Sequence, residues 1–250
     1  MYEEVCYKKP NLAEVVVRVD FVSPISALEK NIPEKLAKDI STDFPIAEPS
    51  DVIGRELQIR PDGLTTKETH AKQWNFFGKE REKQLTLTTT AVFVSYKKYT
   101  KYEDIKREFS STVEAIARVY PNVQTRRFGL RYINRIERGS GHNPLDWSDI
   151  IVPTLLGVKD FFVAPEQLIR LFHIAELNTG DINILFQFGL PNPDYPALIK
   201  RPVFVLDMDS YVQIAHDIYE SLQYMDQAHE QIQKLFEASI TDKLREQMNA

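Results

Sequence analysis

The stretch that decides the fold is residues 126–137, which read Arg-Arg-Phe-Gly-Leu-Arg-Tyr-Ile-Asn-Arg-Ile-Glu. Side chains alternate between the two faces of a β-strand, so the apolar and the charged residues of this stretch separate. One face carries Phe128, Leu130, Tyr132 and Ile136. The other face carries Arg127, Gly129, Arg131, Ile133 and Arg135. The pattern predicts a strand with one side against a core and three guanidinium groups on the other side.

Alternating apolar residues on both sides of this stretch predict more strands, and helical spacing predicts the elements between them. Strands are expected at residues 12–22, 52–60, 168–175, 182–189 and 202–209, and residues 73–78 and 84–96 are expected to supply two or three more. Helices are expected at residues 25–40, 102–120 and 218–240, with Pro33 interrupting the first of them. These elements indicate an α+β protein built from two antiparallel-sheet units with helices packed on them.

A run of turn-forming residues divides the chain. Residues 139–144 read Gly-Ser-Gly-His-Asn-Pro and separate two patterned regions. The sequence therefore predicts an N-terminal α+β unit at 1–138, a linker at 139–146, and a C-terminal α+β unit at 147–250 that ends in a long helix.

Composition narrows the class of protein. The 250 residues are 43% hydrophobic and 27% charged, which is ordinary for a globular protein, and the net charge is −5. An acidic chain has no global positive field for nucleic acid. The single cysteine, Cys6, excludes an intramolecular disulfide, and the sequence contains neither a signal-peptide pattern nor a membrane-length apolar run. We expect a cytoplasmic protein without a membrane partner.

The arginine face has two interpretations. Arg127, Arg131 and Arg135 could bind a phosphate or another anion through bidentate guanidinium contacts. Alternatively, they form a structural ladder of cross-strand ion pairs, which is the interpretation we favour. Four acidic residues on predicted strands are available as partners, namely Glu14, Asp20, Asp207 and Asp209. We predict that Arg131 is largely buried and paired, with Glu14 as the favoured partner.

Three other features could carry chemistry, and each also has a structural explanation. Asp207 and Asp209 could hold Mg²⁺, or they could end a strand and pair with basic side chains. His229 lies on the apolar stripe of the last predicted helix, where a hydrogen-bonded core histidine is the more common finding. Cys6 has no basic neighbours that would mark a nucleophile. The arginine strand also partly matches the aromatic strand of RNA-recognition motifs, but Leu130 occupies a position where an aromatic is expected.

No complete catalytic or cofactor motif is present in the sequence. It contains no Walker A loop, no dinucleotide-binding glycine fingerprint, no His-Glu-x-x-His and no Gly-x-Ser-x-Gly. We therefore assign no catalytic residue, no cofactor and no metal site.

The last predicted helix carries apolar residues outside its main stripe. Tyr219, Tyr224, Ala228 and Leu235 add surface that could contact a second subunit or a protein partner, as in a homodimer. The alternative is burial against two layers of the same chain, because buried helices also look apolar all round.

The string Arg-Phe-Gly-Leu-Arg-Tyr-Ile-Asn at residues 127–134 resembles the signature of a sporadically distributed family of uncharacterised prokaryotic proteins. The resemblance extends to Glu14, Trp74, residues 99–109, residues 207–209 and residues 229–241. It spans most of the chain, but it implies no activity, substrate or cofactor.

The sequence leaves three hypotheses about function. The first is a non-enzymatic binding or assembly module, because an organised charged face occurs without a catalytic constellation. The second is an enzyme that acts on a phosphate-bearing substrate through the arginine face. The third is a nucleic-acid-binding protein. A concave site with unpaired arginines would favour the second hypothesis, and fully ion-paired arginines would favour the first.

Overall fold

A computed structural model describes residues 5–60, 63–99 and 101–250, and for residues 53–70 it describes only the backbone. The strands of the structure are β1 (Leu12–Phe21), β2 (Ile46–Ala47), β3 (Ser50–Arg60), β4 (Gly63–Phe77), β5 (Lys83–Leu87), β6 (Ala91–Tyr96), β7 (Gln124–Glu137), β8 (Leu171–Asn178), β9 (Asn183–Leu190), β10 (Val203–Val212) and β11 (His216–Asp217). The helices are α1 (Glu34–Ile40), α2 (Tyr102–Val119), α3 (Ser221–Ser239) and α4 (Asp242–Asn249).

The strands form one antiparallel sheet in the order β2-β4-β5-β6-β1-β7-β10-β9-β8, with β3 paired to β4 and β11 paired to β7. The predicted α+β class is confirmed. Strand β7, which contains the arginine stretch, lies at the centre between β1 and β10. Hydrogen bonding therefore joins strands from both sides of residues 139–146 in one sheet, while the division into two units stays a prediction.

One face of the sheet is covered by helices. On β7 this face carries Phe128, Leu130 and Tyr132, all of which are buried. Phe109 of α2 packs against Phe128 with ring centroids 6.4 Å apart, and His229 of α3 packs against Tyr132 at 5.8 Å. The apolar face predicted from the alternating pattern thus forms the main core.

The first predicted helix is broken in two. Residues Ser26–Glu29 form a short 3₁₀ helix, and α1 starts at Glu34 directly after Pro33. Proline lacks an N–H donor and its ring clashes with the preceding turn, so the chain restarts rather than continues through Pro33.

Strands β8 and β9 approach each other closely at a glycine. Gly189 has a φ of +133°, and a Cβ built there would lie 2.3 Å from the carbonyl oxygen of Leu171. Because that obstacle is backbone, it cannot move aside easily. Gly189 therefore allows β8 to pair with β9 along its full length.

Candidate interaction site on the open sheet face

The arginines lie on the face of the sheet that is opposite to the helices. Strand register places Arg131 between Val16 of β1 and Asp209 of β10. It places Gly129 between Arg18 and Tyr211. Because directly opposed residues share a face, the charged residues of all three strands meet on this surface. We call it the open face.

Arg131 is held by Asp207. Its Nε donates to Oδ1 at 2.8 Å and its Nη2 donates to Oδ2 at 2.5 Å, which is a bidentate ion pair. The hydrogen bonds to Asp207 raise the pKa of Arg131. The Arg131 side chain is 43% exposed, whereas that of Asp207 is 9% exposed.

The prediction for Arg131 is therefore correct about pairing but wrong about the partner and the burial. Glu14 instead accepts a hydrogen bond from Ser95 on β6. Glu14 lies opposite Ile133 on β7, whereas Asp207 lies on the other side of Ile133. Both acids are thus one diagonal step from Arg131, and the sequence does not decide between two such neighbours.

Arg127 is paired with Asp209 through a contact of 3.0 Å between Nη2 and Oδ2. Its guanidinium also lies over the ring of Tyr211, 5.2 Å from the centroid, which is a cation–π arrangement. Burial raises the pKa of Asp209, and the charges of Arg127 and Arg131 oppose that rise. Both arginines thus favour the charged form of the Asp209 carboxylate.

The two remaining arginines of this surface pair along their own strands. Arg18 donates to Asp20 at 2.8 Å, and Arg135 donates to Glu137. All three arginines proposed as ligand-binding residues, Arg127, Arg131 and Arg135, therefore contact a carboxylate of the same chain.

A depression of about 400 Å³ lies at the centre of the open face. Gly129 is one of the lining residues, and the Arg127 guanidinium lies 2.9 Å from the place where a Cβ of residue 129 would be. The wall residues are Val16, Arg18, Asp20, Arg127, Arg131 and Asp209. Including Asp207, three guanidinium groups there are matched by three carboxylates. The depression is concave but electrostatically balanced.

Arg18 was not among the predicted site residues, and Asp20 was named only as an available partner of the arginines, although the sequence carried a signal for both. The pattern of β1 places both residues on the charged face of that strand. The sequence does not reveal the pairing register of β1 with β7, which sets Arg18 beside Gly129. A shift of one residue in that register would place the charged side chains of β1 on the opposite face of the sheet.

Asp207 and Asp209, the weak candidates for a metal site, both contact arginines of β7. Their carboxylates are bound by Arg131 and Arg127. In the described part of the chain, no group of three or more histidine, cysteine, aspartate or glutamate side chains is placed to hold a metal ion.

His229 lies in the core, away from the open face. Its ring stacks on that of Tyr102 with centroids 3.8 Å apart, and its Nδ1 lies 3.1 Å from the Tyr132 hydroxyl. Burial lowers the pKa of His229 to about 4, against the charges of Glu103 and Asp226. The buried and stacked imidazole fits the structural interpretation of His229. Cys6, which is exposed, also lies outside the open face.

A buried pair that sequence reasoning missed is His216 with Ser221. The histidine Nε2 is 3.0 Å from the Ser221 Oγ, and Nδ1 is 2.8 Å from the carbonyl oxygen of Ile214. This geometry resembles a base and nucleophile, but Ser221 is fully buried and His216 is 4% exposed. The pair has no access to a substrate, and it ties β11 to the start of α3.

A larger depression of about 620 Å³ lies beside α2. Its main charged groups are also paired within the chain. Lys83 contacts Glu108 at 2.6 Å, and Arg107 contacts Asp43 at 3.3 Å. The volume of this depression is therefore not enough to identify it as a catalytic or ligand-binding site.

These features define the class of protein: an α+β protein with one large antiparallel sheet, helices on one face and an ion-paired open face. No protein-family model matches the chain, and no curated protein matches it. Among the residues that the structure describes, no helix combines the length and the apolar character needed to cross a membrane.

Proposed function

We propose that this protein is a non-enzymatic cytosolic binding or assembly module that contacts a protein partner through the open face. The observation that supports the proposal is the pairing of Arg127, Arg131 and Arg135 with carboxylates of the same chain. An anion that entered the depression would have to displace those carboxylates. A protein surface can instead match the alternating charges without breaking any pair.

The second hypothesis, an enzyme for a phosphate-bearing substrate, rests on the concave shape over Gly129. Phosphate sites need a surplus of positive charge or of free donors. The three-to-three balance of arginines and aspartates opposes that role. The same balance, together with the net charge of −5, argues against nucleic acid as the partner.

A charge swap tests the proposal without destroying the ion pair. The double variant Arg135→Glu with Glu137→Arg keeps the opposite charges of an exposed open-face pair together but reverses the pattern that a partner meets. Residues 135 and 137 lie opposite Val205 and Val203 on β10, so the swap sets no like charges directly opposite each other. We expect the melting temperature to stay within about 3 °C of the wild type, since the pair is preserved. We expect a partner that wild-type protein captures, identified by mass spectrometry, to be lost from the swapped variant.

The matched control is a swap at an exposed pair outside the open face, Lys106→Asp with Asp226→Lys, which joins α2 to α3. This control should retain the partner. If the swapped open face also retains every captured protein, the proposal is wrong.

A further inference from the structure

Strand β8 forms one end of the main sheet and is paired on one side only. It contacts β9 from Leu171↔Leu190 to Asn178↔Asn183. In the described chain, no other strand pairs with its outer side, and residues 174–178 are all exposed. The outer N–H and C=O groups of β8 are therefore available, and the group that satisfies such an edge best is another β-strand.

The edge lacks the features that normally protect it. Proteins protect free strand edges with charged side chains, above all lysine, with proline or with a bulge. Strand β8 reads Leu-Phe-His-Ile-Ala-Glu-Leu-Asn, with neither lysine nor proline, and its one acid, Glu176, accepts a hydrogen bond from Tyr211. Its pairing with β9 is continuous over eight residues without a register shift. The strand is thus long, regular and mostly apolar. These properties favour pairing of its free edge with another strand over exposure of that edge to solvent.

Exposed apolar side chains are concentrated around this edge. Nine of the fourteen large apolar side chains that are exposed in the described chain lie between residues 158 and 198. On β8 itself, Ile174 is 68% exposed and Leu177 is 44% exposed. Phe161, in the segment before β8, is 84% exposed. Such clustering marks an interaction surface.

We propose that β8 pairs antiparallel with β8 of a second copy of this chain, on a two-fold axis that runs through Ile174 normal to the sheet. The strand sequence supports a self-complementary register. With Ile174 opposite its own copy, Leu171 faces Leu177 and no like charges oppose each other. An axis at Glu176 would instead set two glutamates opposite each other, which is destabilising.

The segment that precedes β8 adds a second argument. Leu155 and Lys159 line a small cavity together with Leu171 and His173, so this segment covers the first half of β8 on the helix-covered side. The second half, which includes Leu177, has no such cover in the described chain. The two-fold axis brings the same segment of the second copy beside Leu177, so each copy covers what the other exposes. Ile174 lies on the same side of the sheet as the open face, two strands from Asp207 by way of Gln187, but the edge pairing uses the backbone of β8 and does not depend on the proposed function.

Sedimentation equilibrium tests the proposal. Wild-type protein should form a dimer at about 100 µM, and Ile174→Lys should reduce it to the 29.0 kDa monomer while its circular dichroism spectrum stays unchanged. The matched control is Ile214→Lys, because Ile214 is 50% exposed at a distant turn. This control should remain dimeric. A monomeric wild type, or a dimer that survives Ile174→Lys, would overturn the proposal.

Disulfide trapping tests the register. In a Cys6→Ser background, Ile174→Cys places two thiols opposite each other, and copper phenanthroline with air should yield a covalent dimer. Asn178→Cys, four residues from the axis, should stay monomeric on a denaturing gel. Cross-linking at residue 178 and not at residue 174 would refute the register and with it the proposal.

Discussion

In the ion pair between Arg131 and Asp207, the aspartate is buried and the arginine is partly exposed. This difference in burial determines how much the pair contributes to stability. Removing the arginine leaves a carboxylate that is only 9% exposed without its bidentate partner. A wholly buried charge left alone costs about 3–5 kcal/mol. Because Arg131 is 43% exposed, water can partly replace it.

We therefore expect Arg131→Met to lower the free energy of unfolding by about 2 kcal/mol. The control on the same strand is Arg135→Met, whose partner Glu137 is 58% exposed. That change should cost no more than about 0.5 kcal/mol. Urea unfolding followed by circular dichroism measures both values. Equal losses for the two variants would mean that the burial of Asp207 is irrelevant.

His229 should make the stability of the protein depend on pH. Its folded-state pKa of about 4 lies below the unfolded value of 6.5, because burial disfavours the charged imidazole. Stability from this group is present above pH 6.5 and is lost as the pH falls toward 4, since only the unfolded chain then binds the proton. The loss amounts to about 3 kcal/mol across that window.

The variant His229→Asn, which keeps an acceptor near the Tyr132 hydroxyl, should remove this component. Acidic groups elsewhere titrate in both proteins, so the informative quantity is the difference between the two stability curves. The wild type should lose stability relative to the variant as the pH falls from 6.5 to 4. Parallel curves would show that His229 does not titrate as its burial requires.

At the scale of single elements, two glycines on neighbouring parts of the sheet should respond differently to the same substitution. At Gly189 a new Cβ meets backbone 2.3 Å away, and the φ of +133° strains any other residue. At Gly129 the new Cβ meets only the Arg127 Nη1, 2.9 Å away, which is the end of a flexible side chain.

We expect Gly189→Ala to destabilise the protein by more than about 2 kcal/mol, since it combines strain with a backbone clash. Gly129→Ala should change stability by less than about 1 kcal/mol, because alanine is less unfavourable than glycine in a strand and the Arg127 side chain can move. Thermal unfolding of the two variants compares them directly. A larger loss at Gly129 than at Gly189 would contradict the described geometry.

The apolar residues outside the main stripe of helix α3 had two interpretations from the sequence: contact with a partner, or burial in the same chain. Of these residues, Tyr224 and Leu235 are half-buried and pack against a small cluster of Ile182, Ile184 and Val212. Ala228 is 1% exposed. Burial within the same chain therefore accounts for these three residues, and only Tyr219, which is 50% exposed, remains free to contact a partner.

For the whole molecule, local patterns predicted the elements but not their arrangement. Alternation along residues 126–137 was enough to predict the two faces of β7, because period two is a local property. The pairing of β7 with β10 joins residues about seventy positions apart, and nothing local in either strand sets that register. This is why the sequence predicted paired arginines and yet named Glu14 rather than Asp207.

The same limit applies to the candidate site. Arg127, Arg131 and Asp209 were predicted to share a charged surface, and the structure brings them together around Gly129. Their neutral balance appears only when Arg18 and Asp20 of β1 are set beside them by the sheet. The summed charge of the residues around the depression decides whether this face attracts an anion. That sum cannot be obtained from any single strand.

The central claim is that the arginines of the open face are satisfied by their own chain. Isothermal titration calorimetry of the wild type with pyrophosphate, at low ionic strength, tests it most directly, with Arg131→Met as the comparison. We predict no saturable binding up to about 1 mM pyrophosphate in either protein. Saturable binding with a dissociation constant near or below about 10 µM that disappears in Arg131→Met would contradict the claim and favour a phosphate-directed enzyme.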